Sequence, residues 1–305
     1  MGVVALACIS VAAPAVQALA RASAGSASPC ASAPAAGDHA ITLALGGRRR
    51  SALVHVPRGI GAHQALPLVL VLHGAGGSGP RMERYSGFSR TADGNHFVAV
   101  YPSAVGPVWN VTASGSGVDD VAFLGALITH LQHTICLSQR TFATGVSNGA
   151  GMAALLGCRL KALEAIAPVE GRYDGQPRCR PAHPVSMLEI HGTADQIAPY
   201  YGPGGHASAG GLPSFVSAWV RIDGCSRAMV QSPIATRTVL YRFGGCSGGV
   251  TVEHIRIDGG EHQWPGALPP DPGPPSTICA ACTIWSFFAG LPTGGSSSGG
   301  SGIPG

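Results

Sequence analysis

At 305 residues the chain can bury a sizeable core, as one large domain or two modest ones, and it carries no internal repeat. Only 11% of it is charged, against roughly 25% in an average globular protein, while 45 Gly and 24 Pro describe a loop-rich fold. The formal net charge of +4 comes partly from Arg48, Arg49 and Arg50, a cluster that no neighbouring basic residues extend, which argues against a nucleic-acid partner.

Residues 3–20 are almost uninterruptedly apolar, and small-residue sites follow at Ala18-Leu19-Ala20 and Ala22-Ser23-Ala24. This is the pattern of a secretory signal peptide, assigned to residues 1–24, and it implies a secreted, extracellular protein. No Lys or Arg precedes the run, which leaves open a start upstream of Met1 and a leader retained as a cell-envelope anchor. Cys8 fits lipid attachment poorly, because Ala5-Leu6-Ala7 is not the usual preceding sequence and the apolar run continues past it. No other segment is long and apolar enough to span a bilayer, so no stable membrane insertion is expected once the leader is gone.

Residues 25–37 form a Ser/Ala/Pro-rich lead-in. Two alternating stretches, 39–45 and 51–56, then read as an antiparallel strand pair. The run 66–72, Leu-Pro-Leu-Val-Leu-Val-Leu, suits a strand buried on both faces. A helix over 81–92, a strand over 97–101, a helix over 119–134 and a strand over 140–144 follow. The pattern continues with a helix over 148–160, strands over 163–167 and 185–190, a helix over 212–222 and a strand over 250–257. A last helix over 278–288 has Ser276 or Thr277 as its N-cap, and residues 292–305 are a disordered Gly/Ser-rich tail. Strands alternating with helices mean an α/β fold, a mostly parallel central sheet with helices on both faces.

Nine cysteines are present, eight of them beyond the leader, and in an exported protein that suggests disulfides. The preferred pairs are Cys158 with Cys179 and Cys225 with Cys246, leaving Cys30, Cys136, Cys279 and Cys282 unassigned. Cys279 and Cys282 form a lone Cys-x-x-Cys without a second pair, and His130, His133 and Cys136 recur on one helix face; neither grouping is read as a metal or redox site. No cofactor is expected.

The strongest chemical motif is Gly145-Val146-Ser147-Asn148-Gly149, between a predicted strand and a predicted helix. That is the context of a nucleophile elbow, a tight turn that lifts the serine hydroxyl clear of the sheet. A serine needs a base to take its proton, and the base needs an acid to fix its tautomer. The strand 185–190 runs into Asp195 through His191-Gly192-Thr193-Ala194, and the strand 250–257 runs into His262 through Asp258-Gly259-Gly260-Glu261. Both residues fall on loops at strand C-terminal ends, where α/β sheets carry their sites. The order Ser147, Asp195, His262 is the order of a triad on this architecture. Asp174 and Asp223 compete for the acid, and His206 and His254 for the base. The loop His73-Gly74-Ala75-Gly76-Gly77-Ser78-Gly79 offers a second oxyanion donor, Ala75, beside the N–H of Asn148. It also spells Gly-x-Gly-x-x-Gly, but Pro80 and the position of Asp93 speak against a dinucleotide site. His73 and His191 read as turn and packing residues.

Taken in order, Leu72-His-Gly-Ala-Gly-Gly-Ser78, Val118-Asp-Asp-Val121, Gly145-Val-Ser-Asn-Gly149, His191-Gly-Thr-Ala-Asp195 and Gly259-Gly-Glu-His-Gln-Trp-Pro-Gly266 resemble the secreted polyhydroxybutyrate depolymerase and feruloyl esterase family. The resemblance covers residues 38–291 and implies one α/β-hydrolase catalytic domain there, with Ser147, Asp195 and His262 as its triad. The family more often has Gly where Ala150 and Glu261 stand. The implied activity is hydrolysis of carboxylic esters through an acyl-enzyme, on feruloyl-type, acetyl-type or polyhydroxyalkanoate esters, with a polymeric plant cell-wall or polyester partner. Trp109, Tyr200, Tyr201 and Trp264 lie on loops near the site, where they either hold an aromatic acyl group or polyester chain or simply pack the loops. An acyltransferase or peptidase would use the same triad, and a non-catalytic binding protein would share the scaffold.

Overall fold

The computed structural model describes residues 34–61, 63–112, 117–173, 179–202, 213–226, 228–268 and 277–292. The expected leader, the tail beyond residue 292, and Cys8, Cys30, Asp174, His206 and Ser276 lie outside the described residues.

A ten-stranded sheet forms the frame, in the order β1-β2-β4-β3-β5-β6-β7-β10-β9-β8. β1 (Gly37–Leu45) and β2 (Arg48–Val56) pair antiparallel, and β2 continues antiparallel onto β4 (Val98–Pro102). The centre is parallel: β4, β3 (Leu66–Leu72), β5 (Leu137–Val146), β6 (Ala165–Val169), β7 (Ser186–Gly192) and β10 (Val252–Ile257) run alongside one another. An antiparallel hairpin, β8 (Val230–Ala235) and β9 (Thr238–Phe243), closes the far edge.

The buried run of β3 shows how the sheet is covered. Leu68, Leu70 and Leu72 point into one apolar layer, with Phe123 and Leu127 of α3 (Asp120–Thr134), Met152 and Leu156 of α4 (Asn148–Arg159) and Trp219 of α5 (Ser214–Ile222). Val69 and Val71, on the alternate positions, point into the other. There they meet Met82 of α1 (Gly79–Ser86), Phe88 of α2 (Phe88–Asn95) and Phe288 of α6 (Ala280–Gly290). Such double-sided burial is why this strand has no polar position.

Three expectations change. The helix expected over 81–92 is two helices, α1 and α2, because Gly87 at φ 68° takes a left-handed conformation that ends the first and redirects the chain. The β8–β9 hairpin was not anticipated; its turn passes through Arg237 at φ 55°, without the Asn-Gly or Asp-Gly signature that marks such turns. Cys279, not Thr277, caps α6. Both preferred disulfides are formed, Cys158–Cys179 and Cys225–Cys246, and Cys279–Cys282 is a third; Cys136 is disulfide-bonded as well. No helix among the described residues is long and apolar enough to cross a membrane.

The basic cluster on β2 is not a uniform surface patch. Arg50 turns inward, its guanidinium 3.8 Å from the centre of the Phe123 ring and 2.5 Å from Asp120 Oδ1, with both side chains almost fully buried. The other oxygen of Asp120 accepts from the backbone N–H of Asn110 at 2.8 Å. Asp119 caps α3 by accepting from Ala122 N at 2.8 Å. The two aspartates thus start a helix and anchor the loop that carries Trp109. Removing one partner of a buried pair leaves the other charge uncompensated, so Arg50→Met should cost about 3–5 kcal/mol. Urea unfolding measures it; a loss within error of zero would mean that water reaches Asp120.

Candidate active site

Ser147 sits between β5 and α4 at φ 57° and ψ −117°, a strained backbone for a residue with a side chain. Its neighbours explain why the turn can exist. A Cβ on Gly149 would lie 2.3 Å from the carbonyl oxygen of Leu72, and one on Gly145 would lie 2.7 Å from the same atom. Only glycine lets the end of β3 and the start of α4 approach so closely. The backbone N–H of Ser147 donates to Val169 O at 2.9 Å, which ties the elbow to β6.

The loops that follow β7 and β10 abut in the same way. A Cβ on Gly192 would fall 2.2 Å from Gly260 O. Thr193 N donates to Ile257 O at 3.0 Å, Ala194 N to Gly260 O at 2.8 Å, and Gly259 N to the Thr193 hydroxyl at 2.8 Å. This lacing brings Asp195 and His262 together. Asp195 Oδ2 accepts from His262 Nδ1 at 2.6 Å, while Oδ1 accepts from the backbone N–H groups of Ile197 at 2.8 Å and Ala198 at 2.7 Å. Burial works against the charge on Asp195, but the His191 cation 3.4 Å away and the N–H groups of His262 and Ala198 outweigh it and hold the carboxyl below the usual range. Ser147 and His262 line one cleft of about 450 Å³, with Ala75, Tyr85 and Ile197 among its walls.

Neither described competitor reaches this cleft. Asp223 is buried with an oxygen 3.4 Å from Val185 N, before the start of β7 and away from its catalytic end. His254 is fully buried within β10, its Nε2 2.7 Å from the Tyr200 hydroxyl.

The oxyanion loop is braced from behind. Gly76 N donates to Pro107 O at 2.7 Å and Gly77 N to Gly74 O at 3.1 Å, so the amide of Ala75 is the candidate donor there, alongside Asn148 N at the start of α4. The Asn148 side chain clasps Trp109, accepting from its N–H at 2.7 Å and donating to its C=O at 3.2 Å. The Trp109 indole N–H donates to His73 O at 3.0 Å. Burial lowers the basicity of His73, which donates from Nδ1 to Gly74 O at 2.8 Å and accepts from Ala104 N at Nε2 at 3.1 Å. His73 is therefore a neutral brace.

Sequence reasoning missed a buried ionisable cluster beneath the acid. Glu189 and His191 alternate on β7, so both project to one face. His191 Nδ1 donates to Glu189 Oε1 at 2.7 Å, and its Nε2 donates to Ala198 O at 2.7 Å. Two such acceptors require both ring nitrogens to be protonated. Burial disfavours that cation, but Glu189 overcomes it and raises the basicity of His191 well above the ordinary value. His254 Nδ1 lies 2.6 Å from Glu189 Oε2 on its other side. Period-two placement of charged residues on a central strand was the available signal. Glu170, Asp195 and His262 present three ligand-type atoms within 4.8 Å of one another, the one such grouping among the described residues. With His262 Nδ1 already bonded to Asp195, proton handling is the chemistry this set suits.

No family model matches the chain. Feruloyl esterase B of Piromyces equi is 30% identical over 230 residues, which cover 70% of this chain and 42% of that relative, so the chain spans less than half the relative's length. Feruloyl esterase C of Emericella nidulans is 27% identical over 253 residues, covering 78% of this chain and 83% of the relative. Among solved structures, an acetyl xylan esterase from Aspergillus awamori superposes with a TM-score of 0.60 at 14% identity, over 82% of this chain and 99% of that one. The chain has the α/β-hydrolase fold and is similar in sequence to the feruloyl esterases. A ferulic acid esterase from Anaeromyces mucronatus, in complex with ferulic acid, shares the fold at a TM-score of 0.52 and 13% identity, over 83% of this chain and 90% of that one.

Around this site the loop aromatics divide. Trp264 is 1% exposed, packs edge-on against Phe88 at 6.0 Å and donates its indole N–H to Ser86 O at 3.1 Å. Trp109 is equally buried. For both, the packing alternative fits and the substrate-holding one does not, because no ring face is left for a ligand. Tyr200 is buried too, bonded to His254, though it edges a second cavity of about 470 Å³ shared with Tyr173, Phe215 and Ile197. Tyr201 is partly exposed. Trp264→Ala should therefore cost about 3–5 kcal/mol of stability and lower turnover of aryl and acetyl esters by the same factor. A selective loss on aryl esters in steady-state assays would instead put the indole against substrate.

Proposed function

We propose that this hydrolase cleaves carboxylic esters through Ser147, His262 and Asp195, by way of an acyl-enzyme. The observation that carries this reading is the 2.6 Å contact between His262 Nδ1 and Asp195, in a cleft that also receives the elbow serine. Asp195 fixes the tautomer with the proton on Nδ1, which leaves Nε2 to accept the proton of the serine hydroxyl. Ser147 Oγ attacks the ester carbon, and the amides of Ala75 and Asn148 stabilise the oxyanion. His262 returns the proton to the leaving alcohol, and water then repeats the sequence to free the acid and restore the serine.

The substrate we assign is an ester of an aromatic acid, of the feruloyl type, borne on a polymer. An exposed apolar side chain supports this: Ile197, 64% exposed, stands on the rim common to the cleft and the second cavity. An apolar rim that stays open suits a flat ring joined to a chain too large to be enclosed. The relatives' names point the same way. Acetyl and polyhydroxyalkanoate esters are the competing substrates, to be separated by kcat/KM on matched esters. Export by the apolar leader, with residues 38–291 as the catalytic domain, completes the proposal.

Ser147→Ala and His262→Ala should each lower kcat by roughly 10⁶-fold, and Asp195→Asn by about 10⁴-fold, because triad members act as a unit. Asp195, held below the usual carboxylate range, should keep its charge in mild acid, so its protonation should not limit activity there. A folded Ser147→Ala that turns over an aryl ester at the wild-type rate would refute the assignment.

A further inference from the structure

The carboxyl group of Glu170 lies directly behind the acid. Glu170 follows β6 at a φ of 49°, a left-handed conformation uncommon outside glycine and found where surrounding structure imposes it. Its backbone N–H donates to Ile190 O at 2.9 Å, and its side chain, 1% exposed, accepts from Gly192 N through Oε1 at 2.9 Å. The second oxygen, Oε2, is buried without a hydrogen-bond partner. His191 Nε2 is 3.3 Å away but donates its proton to Ala198 O. One carboxylate oxygen of Glu170, one of Asp195 and a ring nitrogen of His262 lie within 4.8 Å of one another.

Two ionised carboxylates so close in a dry site repel. A proton on Glu170 converts the repulsion into a charge-assisted O–H···O⁻ bond and satisfies the orphaned atom. The other groups around it are consistent with this. His191 is committed to Glu189 and Ala198 O, His254 to Glu189 and Tyr200, and the Tyr173 hydroxyl approaches Glu189 at 3.5 Å. Burial first, then Asp195 and Glu189, outweigh the pull of His191 and push the Glu170 carboxyl well above the usual range.

We propose that Glu170 is a positioning residue: anchored by the Gly192 N–H, its carboxyl group donates a hydrogen bond to Asp195 and fixes that acid against His262. This rests on the triad reading given above. It also ties β6, which holds the elbow through Val169, to the loop that carries the acid.

The test compares Glu170→Gln and Glu170→Ala with the wild type and Ser147→Ala. The readouts are aryl-ester kinetics, thermal unfolding and the proton NMR resonance of the His262 Nδ1–H. Glutamine keeps both bonds, amide oxygen to Gly192 and amide N–H to Asp195, so kcat should stay within about twofold and the resonance should not move. Alanine removes both, and kcat should fall about tenfold or more at unchanged KM while the resonance shifts or broadens. A large loss of kcat in Glu170→Gln would overturn the proposal, since it would mean that the native group accepts rather than donates. So would a Glu170→Ala protein that is less stable but keeps kcat and the resonance. If the alanine variant does not fold, the glutamine variant decides alone. Wild-type activity in Ser147→Ala would refute the triad reading itself, separately from the role of Glu170.

Discussion

The site depends on backbone segments approaching more closely than any side chain would permit. At the C-terminal edge of the sheet, the end of β3 meets the start of α4 through Gly149, and the loop after β7 meets the loop after β10 through Gly192 and Gly260. Each contact sets one distance. The first holds the elbow serine above the sheet beside the oxyanion loop; the second holds Asp195 next to His262. Neither could be reached by adjusting side chains, because the clashing atoms are backbone carbonyl groups. The glycines in the motifs around Ser147, Asp195 and His262 thus matter as much as the reactive groups between them.

Behind those contacts lies a tier of buried polar groups that keeps the edge rigid. Asn148 clasps Trp109, Trp109 holds His73, and Asp120 joins the same loop to Arg50 on β2. On the other side, Glu189 accepts a hydrogen bond from His191 on one flank and faces His254 on the other. Such networks are costly when half satisfied and stiff when complete. Here they sit under the loops that must not move, and the apolar layers on both faces of β3 exclude water from them.

Much of this was legible in the chain. The Gly-x-Ser-x-Gly run between a strand and a helix, and the two strand-end loops that follow it, mark residues that the fold brings to one edge. The continuous apolar run of β3 marked the parallel centre, and two cysteine pairs closed as expected. What escaped had a common cause: the sequence records residue type, and burial depends on neighbours. Trp264 and Trp109 lie on loops near the site, which leaves substrate contact and loop packing equally open in the sequence; Ser86 O and His73 O draw their indoles inward. Glu170 and Glu189 belong to no motif, and His191 reads as a turn and packing residue, since their compensation comes from separate segments of chain. The hairpin of β8 and β9 lacks a recognisable turn signature at Arg237, and its outer strand is an exposed edge.

The central claim is that Ser147 becomes covalently acylated. It is tested most directly by rapid mixing with a feruloyl-type aryl ester, an acid quench, and peptide mapping by mass spectrometry. The account predicts a mass increase equal to the acyl group, on the peptide containing Ser147, that appears before steady-state turnover and decays as substrate is exhausted. Sustained turnover with no acylated peptide, or with the acyl group on another residue, would contradict it.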